Sequence, residues 1–273
     1  MYLDNYRVAG DGALLERVKW SHPMQTRLVL DGLVALQGRG ELIVVMESSG
    51  SYGDALRWQL HERGIAVYRV SSKHVHDSAE VYDGVASLHD AKAADLIALL
   101  HRHGRSRRWE LLDEKRRNVN ALVQRLAQLK GQQQRQRNRL EALISRHWPE
   151  LPSVLALNSI SAAQLIAAVG SPRYLCAFAD KGEAKLREAS RGHLDALRIE
   201  AILHSARTTL GMPCVSEENA LLRSLGRDLV ALHQDILKLS NTIEHEVAQD
   251  DTLQSMTQVI GAVTTAVLYA HLG

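Results

Sequence analysis

Two carboxylates stand at positions suited to chemistry. Glu47 closes the short apolar run Glu41–Met46 and opens the turn Glu47-Ser48-Ser49-Gly50-Ser51. The C-terminal end of a buried strand is where α/β proteins gather ligands and catalytic groups. An ordinary exposed strand-end carboxylate has the same appearance in sequence. Asp90 stands in Ser87-Leu88-His89-Asp90-Ala91-Lys92, at the predicted start of a helix. That position equally suits a helix-capping Asp, which holds an orphan N–H and stabilises by about 1 kcal/mol. Together the pair offers hard oxygen donors of the kind Mg²⁺ takes, and phosphodiester chemistry often uses two such ions.

Other chemistry-bearing types lack the right company. His74 and His76, followed by Asp77, have no HExxH pattern or Cys partner around them. Ser48 and Ser49 have no nearby His/Asp arrangement that would make a nucleophile. Gly38-Arg39-Gly40 is not a phosphate loop, because no GK[ST] follows it. The two cysteines, Cys176 and Cys214, are too few for a disulfide scaffold or a cysteine zinc site, and a reducing, cytoplasmic setting is the default.

The formal net charge of +2 conceals an uneven distribution. Residues 102–146 hold 13 Lys/Arg against 4 Asp/Glu, a local charge of +9, whereas the rest of the chain carries −7. Arg105, Arg107, Arg108, Lys115, Arg116, Arg117, Arg125, Lys130, Arg135, Arg137 and Arg139 are interleaved with Gln and Asn. Arginines can fork onto phosphates, and amides can reach sugars and bases. A charge run is more often a solvated helix face, but here acidic partners four residues away are nearly absent. The segment therefore points to a nucleic-acid partner. No apolar run approaches the roughly 20 residues of a membrane span, and the first residues lack a signal peptide's pattern.

The elements that must position these residues change character along the chain. The first hundred residues read as α/β. Asp11-Gly12 separates two strand-like runs, Tyr6–Ala9 and Leu14–Trp20, as in a hairpin. A helix opens at Pro23, strands follow at Glu41–Met46 and Ile65–Val70, and Gly64 suits the end of the helix between them. Another helix begins near Asp90. From Asp113 onward nothing resembles a strand. Residues 116–147 form one long helical segment interrupted by a fully polar stretch, Lys130–Arg139. Leu222, Leu225, Leu229, Leu232, Ile236, Leu239 and Ile243 alternate three and four residues apart, a heptad seam suited to a coiled coil and to self-association. The simplest pairing sets 116–147 antiparallel to 217–249, with the helical residues 150–212 inserted at the far end.

These residues resemble a known family. Glu47-Ser48-Ser49-Gly50-Ser51-Tyr52 is similar to the E-[AS]-[TS]-G-x-Y turn of the DEDD transposases of bacterial insertion sequences, the family of the pilin-gene invertase and the bridge-RNA-guided recombinases. His89-Asp90-Ala91-Lys92 resembles that family's second acidic motif. Gly104–Trp109, Asn138-Arg139-Leu140 and Trp148-Pro149-Glu150-Leu151 fit in the same order. The resemblance implies a RuvC-like, ribonuclease-H-type mixed sheet with helices over residues 1–109. It further implies a long antiparallel coiled coil with its helical insertion over 110–251, and the start of a C-terminal domain over 252–273. It assigns Glu47 and Asp90 to a set of four acidic ligands for Mg²⁺. DNA and a structured guide RNA would be partners, and the coiled coil would assemble a homo-oligomer.

The sequence departs from the pattern in three places. Asp4 is only eight residues before Gly12, too close to supply the first ligand. The fourth ligand should follow Asp90 by three residues, but Ala93 stands there, and Asp95 lies about 140° around the helix. Gln258-Val259 replaces a usual Pro-Gly, and no nucleophilic serine follows before Gly273. The expectation is a transposase truncated at both ends and inactive alone. The alternative is a non-enzymatic nucleic-acid-binding module derived from one.

Overall fold

The computed structural model describes residues 2–8, 14–48, 50–178, 181–190 and 192–271. The expected hairpin turn at Asp11-Gly12, and Ser49 of the turn after Glu47, lie outside the described residues. The chain divides into two compact units, 1–112 and 113–273.

In the first unit, β1 (Tyr2–Val8) and β2 (Leu14–Ser21) pair antiparallel, with Tyr2 opposite Ser21 and Val8 opposite Leu14. A second sheet has the order β3 (Ile43–Glu47), β4 (Ala66–Val70), β5 (Ser106–Arg108). β3 and β4 are parallel, and β5 joins antiparallel. Alternate side chains of β3 enter different cores, as the two-residue period of a strand requires. Val44 and Met46 pack with Leu30 of α1 (Thr26–Gln37), Leu60 of α2 (Asp54–His61), Ile65 and Val67. Val45 packs with Val70, Val75 of α3 (Ser72–Asp77), Ala79 of α4 (Ala79–Asp83) and Leu96 of α5 (Asp90–Arg102). Helices on both faces explain the nearly continuous apolar run of β3.

The second unit is helical throughout its described residues. Two long helices, α6 (Glu114–His147, 34 residues) and α12 (Ser216–Ala248, 33 residues), form its frame. Val119, Val123 and Leu126 of α6 meet Leu239, Ile243 and Val247 of α12, whereas Leu140 and Ile144 meet Leu222, Leu225 and Leu229. Early residues of one helix against late residues of the other make the pair antiparallel. Between the helices in sequence lie α7 (Leu151–Val154), α8 (Ile160–Val169), α9 (Pro172–Cys176), α10 (Gly182–Ala189) and α11 (Ala196–Thr208). These build the larger apolar core against the 140–147 end of α6. α13 (Asp251–Ile260) and α14 (Ala262–His271) pack against the opposite end through Leu253 and Ala266.

The Trp148–Leu151 motif has a structural use. Trp148 is fully buried, and its indole N–H donates to Ser205 Oγ at 3.1 Å. Glu150 accepts from Thr209 Oγ1 at 2.6 Å and from the Leu210 backbone N–H at 2.8 Å, which closes the inserted helices back onto the end of α6. Partial burial pushes the Glu150 carboxyl upward, but these hydrogen bonds outweigh it and leave the group below its ordinary value.

Candidate nucleic-acid interface and acidic site

Glu47 is the last residue of β3, half-buried, and sits opposite Val70 in the parallel register. It shares the face of β3 that Val45 presents to α5. The turn that follows is held from two sides. Ser72 Oγ donates to the Ser48 carbonyl at 2.8 Å. The Arg57 guanidinium, buried at 2% exposure, donates to the Gly50 carbonyl at 2.6 Å and pairs with Asp54. Arg57 is a positioning residue that spacing alone does not reveal.

Asp90 is the exposed first residue of α5. It is not the helix cap. His89 takes that role, its Nδ1 accepting from the Lys92 backbone N–H at 3.2 Å. Lys92 is buried, and its ammonium reaches back to Asp83 Oδ1 at 2.6 Å, the Val85 carbonyl at 2.5 Å and the Ser87 carbonyl at 3.2 Å. That hydrogen bond from Lys92 is also the main reason the Asp83 carboxyl lies below its usual range. The capping alternative for Asp90 therefore falls away, and its carboxylate is left to solvent. Asp90, Ala93, Ile97 and Leu100 recur at helical spacing on one stripe, and the last three pack against the Val45–Val70 core. Asp90 itself is exposed at the N-terminal end of that stripe. Ala93, three residues on, is a packing residue in that core.

His74 and His76 are both exposed; His76 Nδ1 is 3.9 Å from Asp77 Oδ1, and no third donor joins them among the described residues.

The eleven cations fall into different environments. Arg105, Arg107 and Arg108 are exposed at and before β5, with Arg107 opposite Arg69 of β4. On α6, Arg117, Arg125, Lys130, Arg135 and Arg139 are exposed and have no acidic partner within 4 Å among the described residues. At 100° per residue, Arg117, Arg125, Arg135 and Arg139 fall within about 80° of one another, opposite the apolar stripe. Arg137 is half-buried and donates to the Asn158 carbonyl at 3.1 Å. Lys115 and Arg116 are engaged within the unit. Lys115 Nζ lies 2.7 Å from Asp250 Oδ2. The Arg116 guanidinium stacks 5.5 Å from the Tyr269 ring centroid. These two hold the C-terminal helices to α6, so their charges are not free for phosphate.

The seam residues also have their place. Leu222, Leu225, Leu229, Leu239 and Ile243 are buried in this chain's own two cores, Ile236 packs half-buried against one of them, and Leu232 is half-buried. The heptad spacing thus registers the intramolecular pair.

A family model of DEDD transposases of the IS110 type, described as a transposase, matches residues 10–149. The chain belongs to this transposase family. No curated protein matches it. The match takes in β2, the whole second sheet, α5 and α6, and so contains Glu47, Asp90 and all eleven cations.

Membership in the family suggests divalent-metal dependence. The described donors fall short of a self-sufficient Mg²⁺ site. No group of three donors includes Glu47 or Asp90 among the described residues, and position 93 carries a packed methyl instead of a carboxylate. Mg²⁺ takes about six oxygens and gives up water reluctantly, so two carboxylates alone would hold it weakly. Three possible ligands do converge elsewhere in this transposase: His147, Cys214 and Glu218. The sequence concealed them because His147 is 67 positions from Cys214 and a cysteine count cannot register a mixed donor set. No helix among the described residues is long and apolar enough to cross a membrane.

Proposed function

We propose that this transposase acts on DNA as an insertion-sequence recombinase, with a RuvC-like first unit and a second unit that grips nucleic acid along α6. The family match over residues 10–149 carries this reading. Two features of the chain support it. Glu47 closes β3 and Asp90 opens α5, the helix that packs on the Val45 face of that sheet. The arginine face of α6 runs from Arg117 to Arg139, about 33 Å at 1.5 Å per residue, close to one turn of duplex at about 34 Å. Phosphates are the ligand that an unpaired arginine row of that length suits, and DNA or a structured guide RNA would supply them. Glu47 and Asp90 would act on strand chemistry once substrate phosphates complete the oxygen set.

The test is a Mg²⁺-dependent strand-cleavage or exchange assay on insertion-sequence end DNA with the full chain. Mg²⁺-dependent product that is lost in Glu47→Gln supports a recombinase. Salt-sensitive binding without any product supports a non-enzymatic binding module instead. Product that survives Glu47→Gln removes Glu47 from the chemistry.

A further inference from the structure

We propose that His147, Cys214 and Glu218 form a zinc site that fastens the end of α6 to the start of α12. The three residues come from the two termini that the inserted helices separate. His147 is the last residue of α6, Cys214 lies just before α12, and Glu218 is in the first turn of α12. Their ligand atoms all lie within 4.8 Å of one another. His147 Nε2 is already 3.7 Å from Glu218 Oε2. A tetrahedral zinc ion with bonds of about 2.0–2.3 Å needs donors roughly 3.3–3.8 Å apart. Side-chain adjustments of about 1 Å close the remaining gap.

The imidazole points to a ligand. The His147 side chain is completely buried. Its Nδ1 lies 2.9 Å from the Met212 carbonyl, which can only accept, so Nδ1 carries the proton. The other nitrogen, Nε2, is buried and has no hydrogen-bond partner. In the neutral tautomer Nε2 presents a lone pair toward a thiol and a carboxylate. A backbone carbonyl on one ring nitrogen is the usual way a metal-binding histidine is oriented through the other. The approach is tight. A Cβ on Gly211 would come within 2.3 Å of the His147 carbonyl oxygen, so only glycine at this position lets the 211–214 segment lie this close to the end of α6.

The donor chemistry selects the ion. Sulfur and imidazole suit zinc, whereas Mg²⁺ and Ca²⁺ take oxygen. On binding, the Cys214 S–H bond breaks, its proton leaves to solvent and a zinc–sulfur bond forms. The thiolate and the Glu218 carboxylate together balance the ion's two positive charges. Arg146 Nη1, 3.1 Å from Glu218 Oε1, remains on the other carboxylate oxygen. Three protein donors leave a fourth position for water. This site is separate from the Glu47–Asp90 carboxylates, and its test does not depend on strand chemistry.

Cobalt reports the ligands directly. The chelator-treated full chain, kept reduced, is titrated with Co²⁺. One equivalent should bind with a thiolate-to-cobalt charge-transfer band, and Zn²⁺ should bleach it. Cys176→Ser and the double variant His74→Ala/His76→Ala should keep the band, and Cys214→Ser should lose it. Glu218→Gln should weaken zinc at least about tenfold. Zinc should also raise the melting temperature of the wild type, since it binds only the folded arrangement. Cobalt bound without a sulfur band in the wild type overturns the proposal, and that reading needs no variant to fold. A band that persists in Cys214→Ser, or that vanishes in Cys176→Ser, overturns it as well.

Discussion

Gly226 and Gly131 both lie in the interior of long helices, yet their surroundings give substitutions opposite signs. A Cβ at Gly226 would meet the Ala167 backbone N at 2.4 Å and the Ala163 carbonyl oxygen at 2.8 Å. Those are backbone atoms of α8, which cannot swing aside. We expect Gly226→Ala to cost about 1–3 kcal/mol or more by overpacking, read as a lower urea midpoint with an unchanged slope. A Cβ at Gly131 would meet only the flexible end of Arg135 at 3.5 Å. Gly131→Ala should therefore gain about 0.5–1 kcal/mol from helix propensity. A destabilised Gly131→Ala, or an unaffected Gly226→Ala, would contradict the packing described. Such differences mark the limit of reading single residues. Glu47 was visible because a five-residue apolar run ends at it. The role of Lys92 was not, because its partners are the last residue of α4 and two carbonyls of the irregular stretch after it, and no period marks them. His89 capped α5 where a neighbouring Asp offered the commoner signal. The His147, Cys214 and Glu218 group depended on chain ends that meet only after the insertion folds.

At the scale of elements, α6 separates cations that face solvent from cations that hold the fold. Changing Arg117, Arg125, Arg135 and Arg139 to Gln should leave stability nearly unchanged. The same change should flatten the dependence of log affinity on log salt by about 0.9 for each duplex phosphate no longer neutralised, or about 3–4 in all. An unchanged salt slope would remove this face from nucleic-acid contact. Lys115 should behave differently. The Lys115 hydrogen bond is the main cause that holds the Asp250 carboxyl below its ordinary range, and the same contact holds the Lys115 ammonium above its own. A depressed carboxyl contributes stability above its unfolded pKa and loses it as pH falls through the folded value. Acid should therefore loosen α13 and α14 first. Asp250 also caps α13, accepting from Thr252 N–H at 3.0 Å and Leu253 N–H at 3.1 Å. Asp250→Asn keeps a capping oxygen and removes the ion pair, so it should abolish the acid-dependent part, whereas Asp250→Ala should lose more at every pH. Hydrogen exchange of residues 251–271 between about pH 3 and 7 would separate the two. The helices α6 and α12 were themselves legible from apolar spacing, and their antiparallel pairing followed. The short helices α3 and α4 and the strand β5 were not, since so few residues carry too little periodicity to register.

For the whole molecule, charge and packing divide along the same line. Residues 1–112 hold 14 Lys/Arg and 14 Asp/Glu, so the first unit has no formal net charge. Within the second unit, α6 carries 9 Lys/Arg against 2 Asp/Glu, and its partner α12 carries 3 against 6. The cationic surplus is thus concentrated on one helix and opposed by an acidic neighbour. Both apolar clusters of the second unit, one at each end of the helix pair, are built entirely from residues after 113. Each end has its own core, with the polar stretch Lys130–Arg139 between them. A unit that buries its own apolar surface on this scale should fold alone. We expect residues 113–273, expressed separately, to give a helical spectrum and a cooperative melt. This fragment should also retain most of the full chain's salt-dependent affinity for duplex, because electrostatic attraction follows local charge and not the average. Residues 1–112 should bind far more weakly, through Arg105, Arg107 and Arg108 alone. A salt slope that stays with residues 1–112, while a folded 113–273 fragment shows none, would move the interface off α6 and onto the arginines at β5.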